Sequence, residues 1–344
     1  MPMGDAEKKF LVTGGGGFIG SRLVHELLKK RCKVKVLDVR MGRLEKETSR
    51  NLEFLGVGSD ELHGGMVDKA LVEQAVEDVD VIYHLAINWD ALTWAHMLPL
   101  ADLFDANVRG TLNLLEAAKS RGIRHFLFSS SCAVYGTAGT HPIGTYRSYR
   151  TNAREATRSL ILHEETACKP ELWRGGPGPA YGVLKLAIEK ICLMYYHQYG
   201  LPVTVFRIEV VWNDEEVQFL GRKDLDKVRK GGIIKVVEGD GFGTVHVDEV
   251  AQAFSLATLN EKAYGQVFNL SNPDTYMSYR ELYQFLARHT GSKSEIRLVT
   301  DPRLMSSAPE SIQKIRKVLG WKPQKNREDV EKAIVQTVQS LLTC

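Results

Sequence analysis

Apolar residues along the first 210 positions recur with two alternating periods. "KFLVT" (9–13) is a short apolar run. It is followed by "FIGSRLVHELLKKR", in which Phe18, Ile19, Leu23, Leu27 and Leu28 fall at helical spacing. "KVKVLDV" (33–39) alternates and is rich in Val, the pattern of a strand. The switch then repeats. Residues 68–77 read as a helix and "DVIYHLA" (80–86) as a strand. "NVRGTLNLLEAAKSRG" (107–122) reads as a helix closed by Gly122, and "HFLFSSS" (125–131) as a strand. A long helix is predicted over 180–200 and a further strand, "PVTVFRI", over 202–208. Strands separated by helices predict an α/β fold, a doubly wound parallel sheet with right-handed crossovers and helices on both faces.

After residue 210 the alternation weakens. Strands are expected at 233–237 and near 266–270, and helices from Asp248 and over 278–290, 308–319 and 326–342. This pattern predicts a smaller C-terminal α+β lobe. The expected division is 1–208 for a cofactor domain and mainly 209–344 for a substrate lobe. No Pro- or Ser-rich linker separates them.

Composition excludes several functions. The 344 residues carry 45 basic and 42 acidic side chains, a net charge of +3, so no nucleic-acid footprint is expected. No stretch approaches the length of a membrane span, and the N-terminal apolar run breaks at glycines, so neither a span nor a leader is expected. Cys32, Cys132, Cys168, Cys192 and Cys344 form no C-x-x-C and no metal-ligand spacing. A reducing cytoplasm and no metal are the expectation.

"VTGGGGFIG" joins the first strand to the first helix. Two glycine registers fit, Gly15, Gly17, Gly20 and Gly14, Gly17, Gly20. Glycines there let the backbone approach a pyrophosphate, which sits at the helix N-terminus on free N–H groups. Asp38 ends the next strand at about the ~20-residue distance expected of an acid that binds the ribose hydroxyls of NAD. Arg40, two residues later, softens the exclusion of a 2′-phosphate.

At this point the chain resembles the extended short-chain dehydrogenase/reductase family, of the NAD-dependent epimerase/dehydratase type. The matching pieces are "TGGGGFIG" (13–20), Asp38, "HLA" (84–86), "NVRGTLNLLEAA" (107–118), "FSSSCAVYG" (128–136) and "YGVLK" (181–185). "GDG" with "HVDEVA" (239–251), "NLS" (269–271) and "LGWKP" (319–323) follow in family order. The resemblance implies a Rossmann-like domain and the catalytic residues Tyr181, Lys185 and Ser131. It implies that the backbone of Phe18 and Ile19 holds the pyrophosphate and that Leu85, Ala86 and Ile87 line the cofactor's path. Ser129 is implied beside the nicotinamide ribose. Asn107 matches the family's Asn, and Val39, Arg40, Met66 and Val67 complete the implied NAD contacts. A homodimer is implied through the helices bearing Tyr181 and Asn107.

Those residue types suit hydride chemistry. A free tyrosine, with a pKa near about 10, is a poor base at neutral pH, and a nearby ammonium favours its phenolate. Lys185, four residues after Tyr181, lies on the same helix face. Ser131 arrives from a strand end to hold a substrate oxygen. Alone, "YGVLK" is equally well a surface Tyr and Lys; the glycine loop, Asp38 and Ser131 turn the balance. His84, in an apolar strand, reads as a core histidine, Asp248 as the cap of the following helix, and Trp321 as packing.

The reaction expected is NAD-dependent epimerisation at a hydroxyl-bearing carbon of a nucleotide sugar. Family dehydratases carry an Asp-Glu pair after the catalytic Thr, where this chain has Cys132 and Ala133. Against the epimerases, Val210 stands where a substrate-contacting Asn is usual. Ser131 and Tyr181 are also 50 residues apart, an unusually long separation. The insertion, at about 137–162, carries Arg147, Arg150, Arg154 and Arg158, and reads as a diphosphate lid, a solvated face or a dimer contact. Two alternatives stay open: an NAD(P)-dependent dehydrogenase/reductase on a non-nucleotide alcohol or ketone, and a non-catalytic NAD-sensing protein.

Overall fold

A computed structural model describes residues 8–56, 65–88, 100–136, 161–172, 179–217, 219–238, 240–299 and 309–343. The insertion's four arginines, Gly239 and the first residue of the helix expected over 308–319 lie outside them. In chain order the strands are β1 (Lys9–Thr13), β2 (Lys33–Asp38), β3 (Leu52–Gly56), β4 (Val81–His84), β5 (His125–Ser131), β6 (Val203–Ile208), β7 (Val210–Trp212), β8 (Ile233–Val237), β9 (Gly241–His246), β10 (Gln266–Leu270), β11 (Asn272–Ser278) and β12 (Glu295–Val299). The helices are α1 (Phe18–Lys29), α2 (Lys69–Val76), α3 (Leu100–Phe104), α4 (Gly110–Ser120), α5 (Pro179–Tyr199), α6 (Arg222–Arg229), α7 (Val247–Ala257), α8 (Tyr279–Thr290), α9 (Gln313–Leu319) and α10 (Arg327–Thr343). Among the described residues no helix is long and apolar enough to cross a membrane.

Seven strands form one sheet in the order β10-β6-β5-β4-β1-β2-β3. The pairs β1–β2, β2–β3, β1–β4 and β4–β5 are parallel, with Thr13 opposite His84 and His84 opposite Phe128. This is the Rossmann-like doubly wound sheet. From β1 the order runs outward through β2 and β3 on one side and through β4 and β5 on the other. The crevice at the carboxyl ends of β1 and β4 is therefore the switch point where such sheets take ligands.

The described residues fall in two compact units. The first is drawn from Met1–Ser131, Gly176–Arg207 and Val250–Phe268, the second from Cys132–Gly175, Ile208–Glu249 and Asn269–Cys344. The boundary expected at 208 is one of several crossings, because most of α7 and the start of β10 return to the first unit. There Leu11, Ile82, Phe126, Leu114 and Ile188 bury one face of the sheet. Phe254 of α7 covers the other, packed on Tyr83 and Phe206. The second unit is α+β. It has a three-stranded sheet β11-β9-β7, a parallel pair β8–β12, and a core of Trp212, Leu225, Phe242, Leu286 and Ile334.

Three expected details change. The helix expected to open at Asn107 is preceded by α3 and one π-helical turn, Asp105–Arg109. The last helix of the 308–319 window spans Gln313–Leu319. Asp248 does not cap α7: its N–H donates to His246 Nδ1 at 3.2 Å, and the Glu249 carboxylate accepts the His246 N–H at 3.2 Å. The ring before the helix makes the cap, because α7 already starts at Val247. Trp321 is buried, its indole donating to the Glu249 carbonyl at 2.9 Å.

His84 is a fully buried ring with both nitrogens engaged, by Thr13 Oγ1 at 2.8 Å and Thr111 Oγ1 at 2.9 Å. Thr111 donates its hydroxyl hydrogen to the Asn107 carbonyl, so it accepts from His84 Nε2–H. His84 Nδ1 then accepts from Thr13, whose oxygen accepts the Ala86 N–H. The neutral ring is the one form that fits this chain of bonds. His125 repeats the arrangement: Nδ1 accepts from Leu259 N–H, and Nε2 donates to Thr204, which donates to the Ala263 carbonyl. Burial pushes both histidines down to about 3, helped at His84 by the Lys185 charge. Unfolded, each binds a proton below about pH 6.5, whereas the folded chain refuses it until near pH 3. Stability is therefore complete above the unfolded value and falls as pH drops below it, by up to about 1.4 kcal/mol per pH unit for each ring. Urea titrations as a function of pH are expected to show this slope, and His125→Gln to reduce it by about one ring's share. A slope unchanged in that variant would mean that the folded ring takes up its proton freely.

Candidate cofactor and catalytic site

The site in the first unit is built at the carboxyl edge of the large sheet. The turn after β1 is tied to the neighbouring strand by Gly14 N–H to Leu37 O, 3.0 Å, and closed by Gly17 N–H to Gly14 O, 3.1 Å. α1 begins at Phe18 with Gly17 as N-cap, no side-chain cap and no acid in its first turn. The first N–H groups of that helix therefore point at an anion site carrying the positive end of the dipole. A Cβ on Gly20 would run into the Gly14 carbonyl, so only glycine lets α1 approach the turn this closely. Asp38 closes the second wall. Its carboxylate accepts Gly16 N–H at 2.8 Å and Val39 N–H at 2.7 Å. Burial raises its pKa against the pull of those bonds and of Arg40.

Between the two half-sheets runs the segment after β4. Leu85, Ala86 and Ile87 are half-buried and held by Leu85 N–H to Thr13 O and Ala86 N–H to Thr13 Oγ1. Asn107 holds the end of the same segment. Its side-chain carbonyl accepts Asn88 N–H at 2.8 Å, and its amide donates to Leu103 O at 2.9 Å. Its amide is thus turned inward, positioning residues 84–88. Met66 and Val67 lie in a short 3-10 turn whose carbonyls accept from the Asn113 amide at 3.0 and 3.1 Å.

Lys185 is the centre of the catalytic candidates. The α5 residues Tyr181, Lys185 and Glu189 follow at four-residue steps and so share a face, turned to β5. Lys185 is 3% exposed, and its Nζ donates to Ser129 O at 2.7 Å. The same ammonium lies 5.1 Å from the centre of the Phe128 ring and 5.8 Å from that of Tyr181. Burial pulls its pKa down to about 7. Tyr181 and Ser131 are half-buried at the open end of the cluster. Ser130 donates to the Glu189 carboxylate at 3.1 Å, which is clasped by Arg207 at 3.0 and 2.6 Å.

The structure thus brings Tyr181, Lys185 and the Ser129–Ser131 strand end together, and lines the sheet edge with the glycine loop, Asp38 and residues 85–87. Sequence reasoning missed Thr111, Asn113 and the Ser130–Glu189–Arg207 network. Glu189 had a signal: a charge four residues beyond Lys185 on an otherwise apolar helix face. The π turn that aims Asn107 had none.

A doubly wound sheet with a glycine loop at its switch point defines the class, the dinucleotide-binding α/β proteins. Within it, the chain belongs to the NAD-dependent epimerase/dehydratase family, whose model matches residues 10–271. It is 28% identical over 300 residues to a UDP-N-acetyl-alpha-D-glucosaminuronate decarboxylase of Bacillus cytotoxicus, covering 84% of this chain and 83% of the relative. To a UDP-glucose 4-epimerase of Lactobacillus helveticus it is 27% identical over 350 residues, 94% of each chain. Among solved structures, Pal from Bacillus thuringiensis matches with a TM-score of 0.69 at 25% identity, over 97% of this chain and 99% of that one. The uncapped α1 N-terminus, the close approach at Gly20 and the Asp38 wall fit the family's NAD.

The Glu189–Arg207 pair carries a stability consequence. Glu189→Gln leaves a buried guanidinium without its counter-charge, a loss of about 3–5 kcal/mol. Denaturant unfolding is expected to show that loss; a variant within about 1 kcal/mol of the parent would mean that Arg207 finds another acceptor.

Proposed function

We propose that the chain epimerises a carbinol carbon of a nucleotide sugar by reversible oxidation, using NAD that it retains. Bound NAD supplies the hydride acceptor of the first half-reaction and the donor of the second. The N–H groups of Phe18 and Ile19 hold its pyrophosphate, Asp38 its adenosine ribose, and Lys185 its nicotinamide ribose. Tyr181 takes the substrate hydroxyl's proton and later returns one. Ser131 hydrogen-bonds the same oxygen and keeps it against Tyr181. Lys185 favours the phenolate by its charge. The observation that carries this reading is the buried Lys185 ammonium, held by Ser129 O and facing the Tyr181 ring at the end of the serine strand.

Epimerisation is preferred to dehydration because Cys132 and Ala133 supply neither of the carboxylic acids that elimination of water uses. One observation favours a second reading, decarboxylation of a nucleotide uronate: the match to the Bacillus cytotoxicus decarboxylase. That reaction opens with the same oxidation.

A panel of UDP-, GDP-, CDP- and dTDP-sugars, including uronates, separates these readings by NMR and mass spectrometry without added cofactor. Interconversion of two isomers of equal mass supports the epimerase, and loss of the mass of CO₂ supports the second reading. Stoichiometric NADH release would overturn both in favour of a dehydrogenase. Tyr181→Phe is expected to lower kcat by about 10²–10⁴ while the variant still copurifies with NAD. Undiminished turnover in that variant would remove Tyr181 from the proton path.

A further inference from the structure

Three side chains far apart in sequence meet inside the second unit. Cys132 Sγ and a carboxylate oxygen each from Glu209 and Glu310 all lie within 4.8 Å of one another. Cys132 comes from the 3-10 turn that follows β5, Glu209 from the single residue between β6 and β7, and Glu310 from an isolated bridge to Leu162. No linear spacing signals the group, because each ligand arrives on a separate stretch of chain.

The pocket is built around these groups. Glu310 is 3% exposed; Ser271 and the Glu209 carboxylate are close enough to act on its carboxyl, but neither makes a hydrogen bond of good geometry to its oxygens. It points into the cluster, with Ser271 and Glu209 at its sides. The floor is Gly243 of β9. A Cβ there would stand 2.7 Å from Ser271 Oγ, 2.9 Å from Glu310 Oε2 and 3.1 Å from Glu209 Cγ, so a larger residue would close the space. The buried Tyr276 hydroxyl is a second polar group without a partner among the described residues. Burial, and then the charges of Asp240, Glu310 and Glu209, keep it from ionising.

A cluster of a buried carboxyl, a half-buried carboxyl and a buried thiol is costly unless a cation or protons neutralise it. The donor set selects among cations. Magnesium and calcium take oxygen ligands throughout, whereas thiolate sulfur favours borderline transition ions. Three protein ligands of mixed S and O type also leave one tetrahedral position for water.

We propose that Cys132, Glu209 and Glu310 bind one divalent transition-metal ion of the zinc class. Binding forms one metal–sulfur and two metal–oxygen bonds and releases the thiol proton, together with any proton on the carboxyl pair, to solvent. The ion ties the turn after β5 to the β6–β7 junction and to the Glu310 bridge. The inference is independent of the proposed reaction.

The test uses the full chain, stripped with a chelator, dialysed and titrated with Co²⁺ as a spectroscopic stand-in for zinc. One equivalent is expected to bind and to give a thiolate-to-cobalt charge-transfer band in the near ultraviolet, which Zn²⁺ removes by displacement. Cys132→Ser is expected to abolish the band. Glu310→Gln is expected to weaken Co²⁺ binding by at least about tenfold. Cys168→Ser, which alters a thiol outside the cluster, is expected to keep both. Cys132→Asp, with an oxygen ligand in place of sulfur, is expected to bind the ion without the band. Failure of the unmutated chain to bind one equivalent would overturn the proposal and leave a proton shared by the two carboxyls. A band that persists in Cys132→Ser would overturn it equally, by placing the ion on another thiol.

Discussion

A lysine ammonium taken almost wholly out of water is the constraint on which the first unit's site depends. At 3% exposure Lys185 cannot be solvated, and burial alone pulls it down to about 7. It stays in place because its surroundings replace water in two ways. The Ser129 carbonyl accepts one of its hydrogens, and the faces of Phe128 and Tyr181 offer electron density. One turn further along α5, Glu189 is clasped at both oxygens by Arg207. Each of these partners is rigid: one belongs to a central strand, one is a packed ring, and one is a bidentate ion pair. The cluster is therefore held in geometry before any ligand arrives, which is the condition for a charge to act on a reacting oxygen rather than relax around it.

How much of this was legible in the sequence follows from the range of the interactions. The glycine turn, Asp38 and the Tyr181–Lys185 step are local patterns, each within one strand–turn–helix unit or one helical turn, and periodicity displays them. The carboxyl edge of the parallel sheet collects them without further information, since every parallel strand ends there. What escaped was set by contacts across the chain. Asn107 was legible as a motif residue, yet its work is to hold Asn88 from within a π turn, and no residue pattern announces that turn. The capping of α7 shifted from Asp248 to His246 because helix ends move by a residue or two and an imidazole nitrogen can accept as an aspartate does. The cluster of Cys132, Glu209 and Glu310 brings together positions from three separate stretches and has no linear trace.

The histidines show how a polar core can carry information that hydrophobic burial does not. Thr13, His84, Thr111 and Asn107 donate and accept in one fixed order, from the strand under the glycine loop to the π turn. A methyl in place of either threonine hydroxyl would break the order, not merely remove one bond, because each hydroxyl both gives and receives. The network thus sets the register of the cofactor loop against residues 84–88, and it does so from within the core.

The choice of reaction turns on how many protons the site must move. Oxidation of a carbinol moves one proton and one hydride, and epimerisation returns the same pair to the opposite face. In the proposed mechanism one tyrosine, tuned by one lysine and aided by one serine, is sufficient for that cycle. Elimination of water from the intermediate ketone needs a base for a carbon-bound hydrogen and an acid for the departing hydroxyl. Those groups would stand directly after Ser131. In this chain the two positions are a thiol and a methyl, both buried. Neither supplies the carboxylic acid that the elimination would call on, and alanine has no proton to give. On the proposed reading the cycle therefore stops at reversible oxidation, unless the oxidised substrate itself carries a group, such as a carboxylate, that departs without a proton donor.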